Sequence, residues 1–210
     1  MGSSLLKRTA PIAGVKTVSI PGAHASHART WIASARGAEA IGAVECALIL
    51  IGGNSISDGK RPEVVAREVA ALVRLLRGVS PRGPDLRVAI CTLPPRPQID
   101  NREGARGEGR AVFNRIIREQ RGGGLDSFEV VDLDKVFRKK KSSGNTERAD
   151  YDPTLLDGSS GELKAFGGIV HPSKEGGTRM SRLASDFFKR HSPAEKRRTP
   201  AIEVVKKSTL

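Results

Sequence analysis

The sequence predicts an α/β fold in which a mostly parallel sheet lies between two layers of helices. Three observations lead there. Short apolar runs of strand length alternate with segments of helical periodicity along the chain. The central run, 46–51, is apolar without interruption, the pattern of a strand buried on both faces. Of 210 residues, 38% are hydrophobic and 28% charged, which is enough apolar material for one core and too much for a disordered chain. Strand–helix alternation builds right-handed β-α-β units, and sites in such sheets form beyond the carboxyl ends of the strands. The residues that follow each strand are therefore the informative ones.

The elements justify this in order. Residues 15–20, Val-Lys-Thr-Val-Ser-Ile, read as a strand stopped by Pro21-Gly22. Residues 26–41 are Ala-rich with Trp31, Ile32 and Ile41, which predicts one helix or two short ones. The buried strand 46–51 ends in Gly52-Gly53-Asn54. Pro62 suits a first helical position, and Val65, Val69, Leu72 and Leu76 mark one helix face before Gly78. Residues 86–93 form a strand closed by Pro94-Pro95, and 96–108 read as a Pro/Gly/charge-rich loop. A helix is expected at 109–121, with Phe113, Ile116 and Ile117 inward, and a strand at 128–133. Residues 138–168 are a long irregular stretch, and a last helix spans 173–190 with Met180, Leu183, Phe187 and Phe188. From 191 on, a basic and flexible tail is expected, so residues 1–190 form the domain.

Several classes are excluded. The longest apolar run is far short of the roughly 20 residues that cross a bilayer, and no secretory leader pattern opens the chain. Cys46 and Cys91 cannot build a disulfide scaffold, so free thiols in a reducing intracellular compartment, cytoplasmic or nuclear, are expected. Lys and Arg number 36 against 23 Asp and Glu, a net charge of +13 that favours polyanionic partners. Basic residues concentrate at Arg138, Lys139, Lys140 and Lys141 and at Lys196, Arg197 and Arg198, which suit either a solvated surface or nucleic-acid contact. Only eight aromatics occur, and none forms a base-stacking motif between basic residues.

Candidate chemistry sits after the strands. Asn54 is either a turn residue or an amide donor able to stabilise an oxyanion. His171, in Gly-Ile-Val-His-Pro-Ser, is either a packed histidine or a general base. Ser4 is either a capping residue or a nucleophile that a histidine activates. His24 and His27 follow Gly22 as loop histidines. No carboxylate or thiol joins them at metal-ligand spacing, so neither a metal nor a cofactor is expected.

Taken together, these blocks resemble the SGNH/GDSL hydrolase family. Gly2-Ser3-Ser4-Leu5-Leu6 is similar to its Gly-Asp-Ser-Leu block, Pro21-Gly22-Ala23 to its glycine block, Gly52-Gly53-Asn54 to Gly-x-Asn, and Gly168-Ile169-Val170-His171-Pro172 to Asp-x-x-His. The match is closest to the esterase-like domains in proteins of LINE-type retroelements. The resemblance implies a flavodoxin-like three-layer α/β/α sandwich, here without the usual first strand, since the chain begins at Met1. It implies hydrolysis of small acyl or acetyl esters, with Ser4 as nucleophile and His171 as its base. The oxyanion hole would comprise Ser4, Gly22 and Asn54.

The chain departs from the pattern at Ser3 and Gly168, where the family has Asp. Asp157 is the candidate acid to orient His171 instead. Two functions follow: a serine esterase, or an inactive binding module of retroelement origin that contacts nucleic acid through its basic loop and tail.

Overall fold

Cys46–Ile49 form the first strand, β1, because Cys-Ala-Leu-Ile continues into Leu50-Ile51 with no polar residue to turn outward. Ile49, with Leu50 and Ile51 just beyond the strand, is 1% exposed, whereas Cys46, Ala47 and Leu48 are only partly buried, so the expected cover on both faces holds at the carboxyl end of β1 alone. The structure is a computed structural model that describes residues 11–20, 22–95, 105–120, 127–137, 156–157 and 171–191.

Two helices precede β1: α1 (Ala25–Ala33) and α2 (Ala35–Gly42), separated at Ser34, whose hydroxyl caps the second. The sequence expectation of two short helices is met. After β1 come α3 (Gly53–Ser57) and α4 (Pro62–Val79). Pro62 opens α4, Glu63 lies in its first turn and Arg77 in its last, as the helix dipole favours. Val65, Val69, Leu72, Val73 and Leu76 form its buried stripe. Each such side chain contributes roughly 1.5–3 kcal/mol on burial.

Strand β2 (Arg87–Cys91) pairs in parallel with β1, Cys46 opposite Arg87 through Ile49 opposite Ile90. Helix α5 (Ala105–Glu119) carries the chain back to β3 (Glu129–Val131), which pairs in parallel with β2. Among the described residues the sheet order is thus β1-β2-β3. The short α6 (Leu133–Val136) follows directly, capped by Asp132. Strands β4 (Leu156–Asp157) and β5 (His171–Pro172) form a separate antiparallel pair, and α7 (Lys174–His191) closes the described chain.

Helices α4 and α5 pack on each other, while α7 packs on β1 and β3. This is the predicted three-layer α/β/α arrangement. The core joins all of it through Ile32, Ile49, Ile90, Phe113, Ile117 and Phe187. No described helix is long and apolar enough to cross a membrane.

Two boundaries are corrected. Residues 15–20 are not a strand; Ser19 alone is in a bridge. Ile12–Val18 and Cys46–Leu50 both line a cleft of about 970 Å³, and an isolated bridge is not a ladder. Helix α5 begins at Ala105, inside the stretch read as a loop. Of the irregular stretch 138–168, only Leu156 and Asp157 are among the described residues.

Candidate active site

The turn after β1 depends on Gly52, whose φ of +116° excludes ordinary L-residues. A Cβ there would lie 3.1 Å from Val65 Cγ1 and 3.3 Å from Phe113 Cε2. The close backbone approach turns the chain into α3 and sets Asn54 at the carboxyl end of β1. Asn54 Nδ2 donates to the Ala23 carbonyl at 3.2 Å. Ala23 follows Gly22, which holds φ +66° in its own turn. Two of the positions expected to supply oxyanion donors, Gly22 and Asn54, therefore sit on segments joined by a direct hydrogen bond.

The sequence reading missed what stands beside them. The His24 ring lies 3.0 Å from Ser55 Oγ through Nδ1 and 3.3 Å from Asp58 Oδ2 through Nε2. His27 Nδ1 accepts the His24 backbone N–H at 3.2 Å. The partners of His24 come 31 and 34 positions later, beyond any local spacing rule, so only the fold brings them together. Among the described residues, no group of three or more His, Cys, Asp or Glu is arranged to hold a metal ion.

His171 belongs to β5, and its register partner is Asp157 on β4. Its position relative to the sheet follows from α7. Near the end of α7, Arg190 donates to Glu129 at 3.4 Å, and Glu129 is the first residue of β3. Helix α7 therefore runs opposite to the parallel strands for about 27 Å. Its first turn, with β5 just before it, points toward their carboxyl ends. Gly52-Gly53-Asn54 leaves β1 at that same rim. Ser4, Gly168, Arg138, Lys139, Lys140, Lys141, Lys196, Arg197 and Arg198 lie outside the described residues.

A family model, GDSL-like Lipase/Acylhydrolase family, matches residues 3–179. The chain belongs to this family. The crystal structure of the OSK domain of Drosophila Oskar is similar in fold to this GDSL-like chain, with a TM-score of 0.60 at 16% identity over 89% of this chain and 85% of that one. Comparison with curated proteins finds no match.

The GDSL-like chain carries a polar network at the ends of β2 and β3 that the sequence reading also missed. Asp134, 1% exposed, accepts from Arg110 Nη1 at 2.6 Å and from Arg118 Nη2 at 2.8 Å. Arg118 also grips Asp132 through Nε and Nη2, at 2.9 and 2.8 Å. Thr92 Oγ1 donates to Asp132 and accepts the Asp134 backbone N–H. Asn114, fully buried, clamps both backbone groups of Leu93. The hydrogen bond to Asp132 is the main force raising the Arg118 guanidinium. Burial works to raise the Asp132 carboxyl, but Arg118 and Thr92 outweigh it and lower it overall. Arg110, Asn114 and Arg118 recur every four residues on α5, a polar stripe that was the available signal. The cleft beside β1 is separate, since neither Gly22 nor Asn54 lines it.

Proposed function

We propose that the chain is a serine esterase acting on small acyl or acetyl esters. The Ser4 hydroxyl attacks the ester carbonyl while His171 takes its proton. The C–O bond to the alcohol then breaks, and His171 returns the proton to the leaving oxygen. Water repeats the sequence on the acyl-serine, releasing the acid and restoring Ser4. The backbone N–H groups of Ser4 and Gly22 and the Asn54 carboxamide hold the oxyanion. One such donor contributes about 3–4 kcal/mol to lowering the barrier.

The observation that carries this reading is the Asp157–His171 register. The register supports giving Asp157 the orienting role in place of Gly168. The test is labelling with a fluorophosphonate, together with p-nitrophenyl acetate hydrolysis. Labelling that disappears in Ser4→Ala, and turnover that disappears in His171→Ala, support the reading. Equal labelling of wild type and Ser4→Ala removes Ser4 from it.

A second reading rests on Ser3 and Gly168, which stand where the family carries Asp, and on the net charge of +13. It makes the chain a catalytically inactive binding module of retroelement origin. Its nucleic-acid contacts would run through Arg138, Lys139, Lys140, Lys141, Lys196, Arg197 and Arg198. It requires absent turnover and an RNA or DNA affinity that falls steeply with salt. Salt-insensitive binding discards it.

A further inference from the structure

We propose that His24 is a positioning residue for the oxyanion hole, held between Ser55 and Asp58 so that the Gly22 turn and the Asn54 helix keep a fixed spacing. The inference rests on the esterase reading and adds to it three residues that the family resemblance does not name.

Three side-chain ties connect residues 23–24 to α3 and its cap. Asn54 Nδ2 donates to the Ala23 carbonyl at 3.2 Å. Ser55 Oγ meets His24 Nδ1 at 3.0 Å, and Asp58 Oδ2 meets His24 Nε2 at 3.3 Å. Two of the three pass through one imidazole. The Ser55 hydroxyl can donate to Nδ1, and Nε2 stands within ion-pair distance of the Asp58 carboxylate. The His24 backbone N–H is engaged as well, by His27 Nδ1, whose ring stands edge-on at 5.4 Å. All three nitrogens of His24 thus have partners.

The order serine, histidine, aspartate resembles a nucleophilic triad, but its burial argues otherwise. Ser55 is 2% exposed, so its hydroxyl does not meet a substrate. Asp58, at the outer end, is 65% exposed. The chain of contacts runs from the interior to the surface and crosses the seam between the two segments. Gly22 contributes a backbone N–H on one side of that seam, and Asn54 contributes a carboxamide on the other. Oxyanion donors work only when preorganised at about 2.7–3.1 Å from the developing charge. Misplacement by about 1 Å costs on the order of 10²-fold in rate. With His24 gone, the Asn54–Ala23 hydrogen bond remains as the third tie, so the expected loss is smaller.

The test uses p-nitrophenyl acetate kinetics on the full chain with His24→Ala, His24→Asn and His24→Gln. An asparagine amide reaches about as far as Nδ1, and a glutamine amide about as far as Nε2. His24→Ala is expected to lower kcat about 10-fold with KM unchanged. His24→Asn, which keeps an acceptor for Ser55, is expected to recover most of that, and His24→Gln is not. Ser55→Ala removes one of the two ties through His24 and should lower kcat no more than His24→Ala does, and the double variant should fall no further than His24→Ala alone.

Equal kcat for wild type and the alanine variants overturns the proposal, as does loss of kcat that merely follows loss of thermal stability. A wild type without turnover overturns the esterase reading and this one with it. An active wild type indifferent to His24 overturns this one alone.

Discussion

Asp157 stands directly opposite His171 where β4 pairs with β5. The acid lies 14 positions before the histidine, whereas the family motif has it three before, at the position of Gly168. The ladder thus offers a second route to the same pairing. Under the esterase proposal, Asp157→Asn lowers kcat by on the order of 10²–10⁴ and leaves KM unchanged, because an amide no longer fixes the ring or stabilises its charged form. Steady-state ester hydrolysis measures this. Turnover at the wild-type level would remove Asp157 from the mechanism.

Asp134 is the most deeply buried acid of the network at the strand ends, and Arg110, 7% exposed, is held by it. Asp134→Ala leaves that guanidinium buried without its carboxylate. The expected cost is about 3–5 kcal/mol, read from urea denaturation. Arg179→Ala breaks only an exposed pair with Glu175 on α7 and should change stability by less than about 0.5 kcal/mol.

Asp132 gives the fold a defined acid response. Burial opposes its ionisation, but hydrogen bonds from Arg118 and Thr92 prevail, and its carboxyl titrates below the ordinary 3.8. A carboxyl lowered in the folded state stabilises fully above its unfolded value and loses that contribution as pH falls through the folded one. The stability gap between wild type and Arg118→Met is therefore expected to be constant from neutral pH down to about pH 5 and to narrow below the ordinary value. Urea midpoints across that range test it. A gap that widens on acidification would contradict the assignment.

The two free thiols should differ in reactivity. Burial pushes the Cys91 thiol up to about 12, so it carries almost no thiolate at neutral pH. Cys46 is also raised, first by burial and then by Glu45, but it is only half-buried. In the native protein an aromatic disulfide reagent is expected to modify Cys46 slowly and Cys91 only after denaturation. Mass spectrometry of the modified peptides distinguishes the two.

Much of the frame was legible because its signals are local. The unbroken run from Cys46 to Ile51 announced a strand, and the spacing of Val65, Val69, Leu72 and Leu76 announced α4. Gly52 and Asn54 were recognisable as a turn with chemistry after it, and the fold brings that turn against Ala23. The misses are non-local. Residues 15–20 have the composition of a strand, yet only Ser19 is in a bridge, and one bridge does not make a ladder. The first turn of α5 looked like a loop for its glycines and charges, yet packing of Phe113 and Ile117 further along holds the helix in place. Arg110 and Arg118 gave no local signal of their partners, because those carboxylates arrive only at 132 and 134. His24 gave no hint of Ser55 across 31 positions.

The strands β1, β2 and β3 neighbour one another in the order in which a ribosome makes them. Each can dock onto the one before as it emerges, with α4 and α5 laid down in between. Helix α7 comes last among the described elements, and until Met180 and Phe187 arrive, one side of the sheet stays uncovered. His171 enters immediately ahead of that helix. A nascent chain therefore acquires its scaffold well before its proposed base, and maturation of the chemistry coincides with the sealing of the final layer.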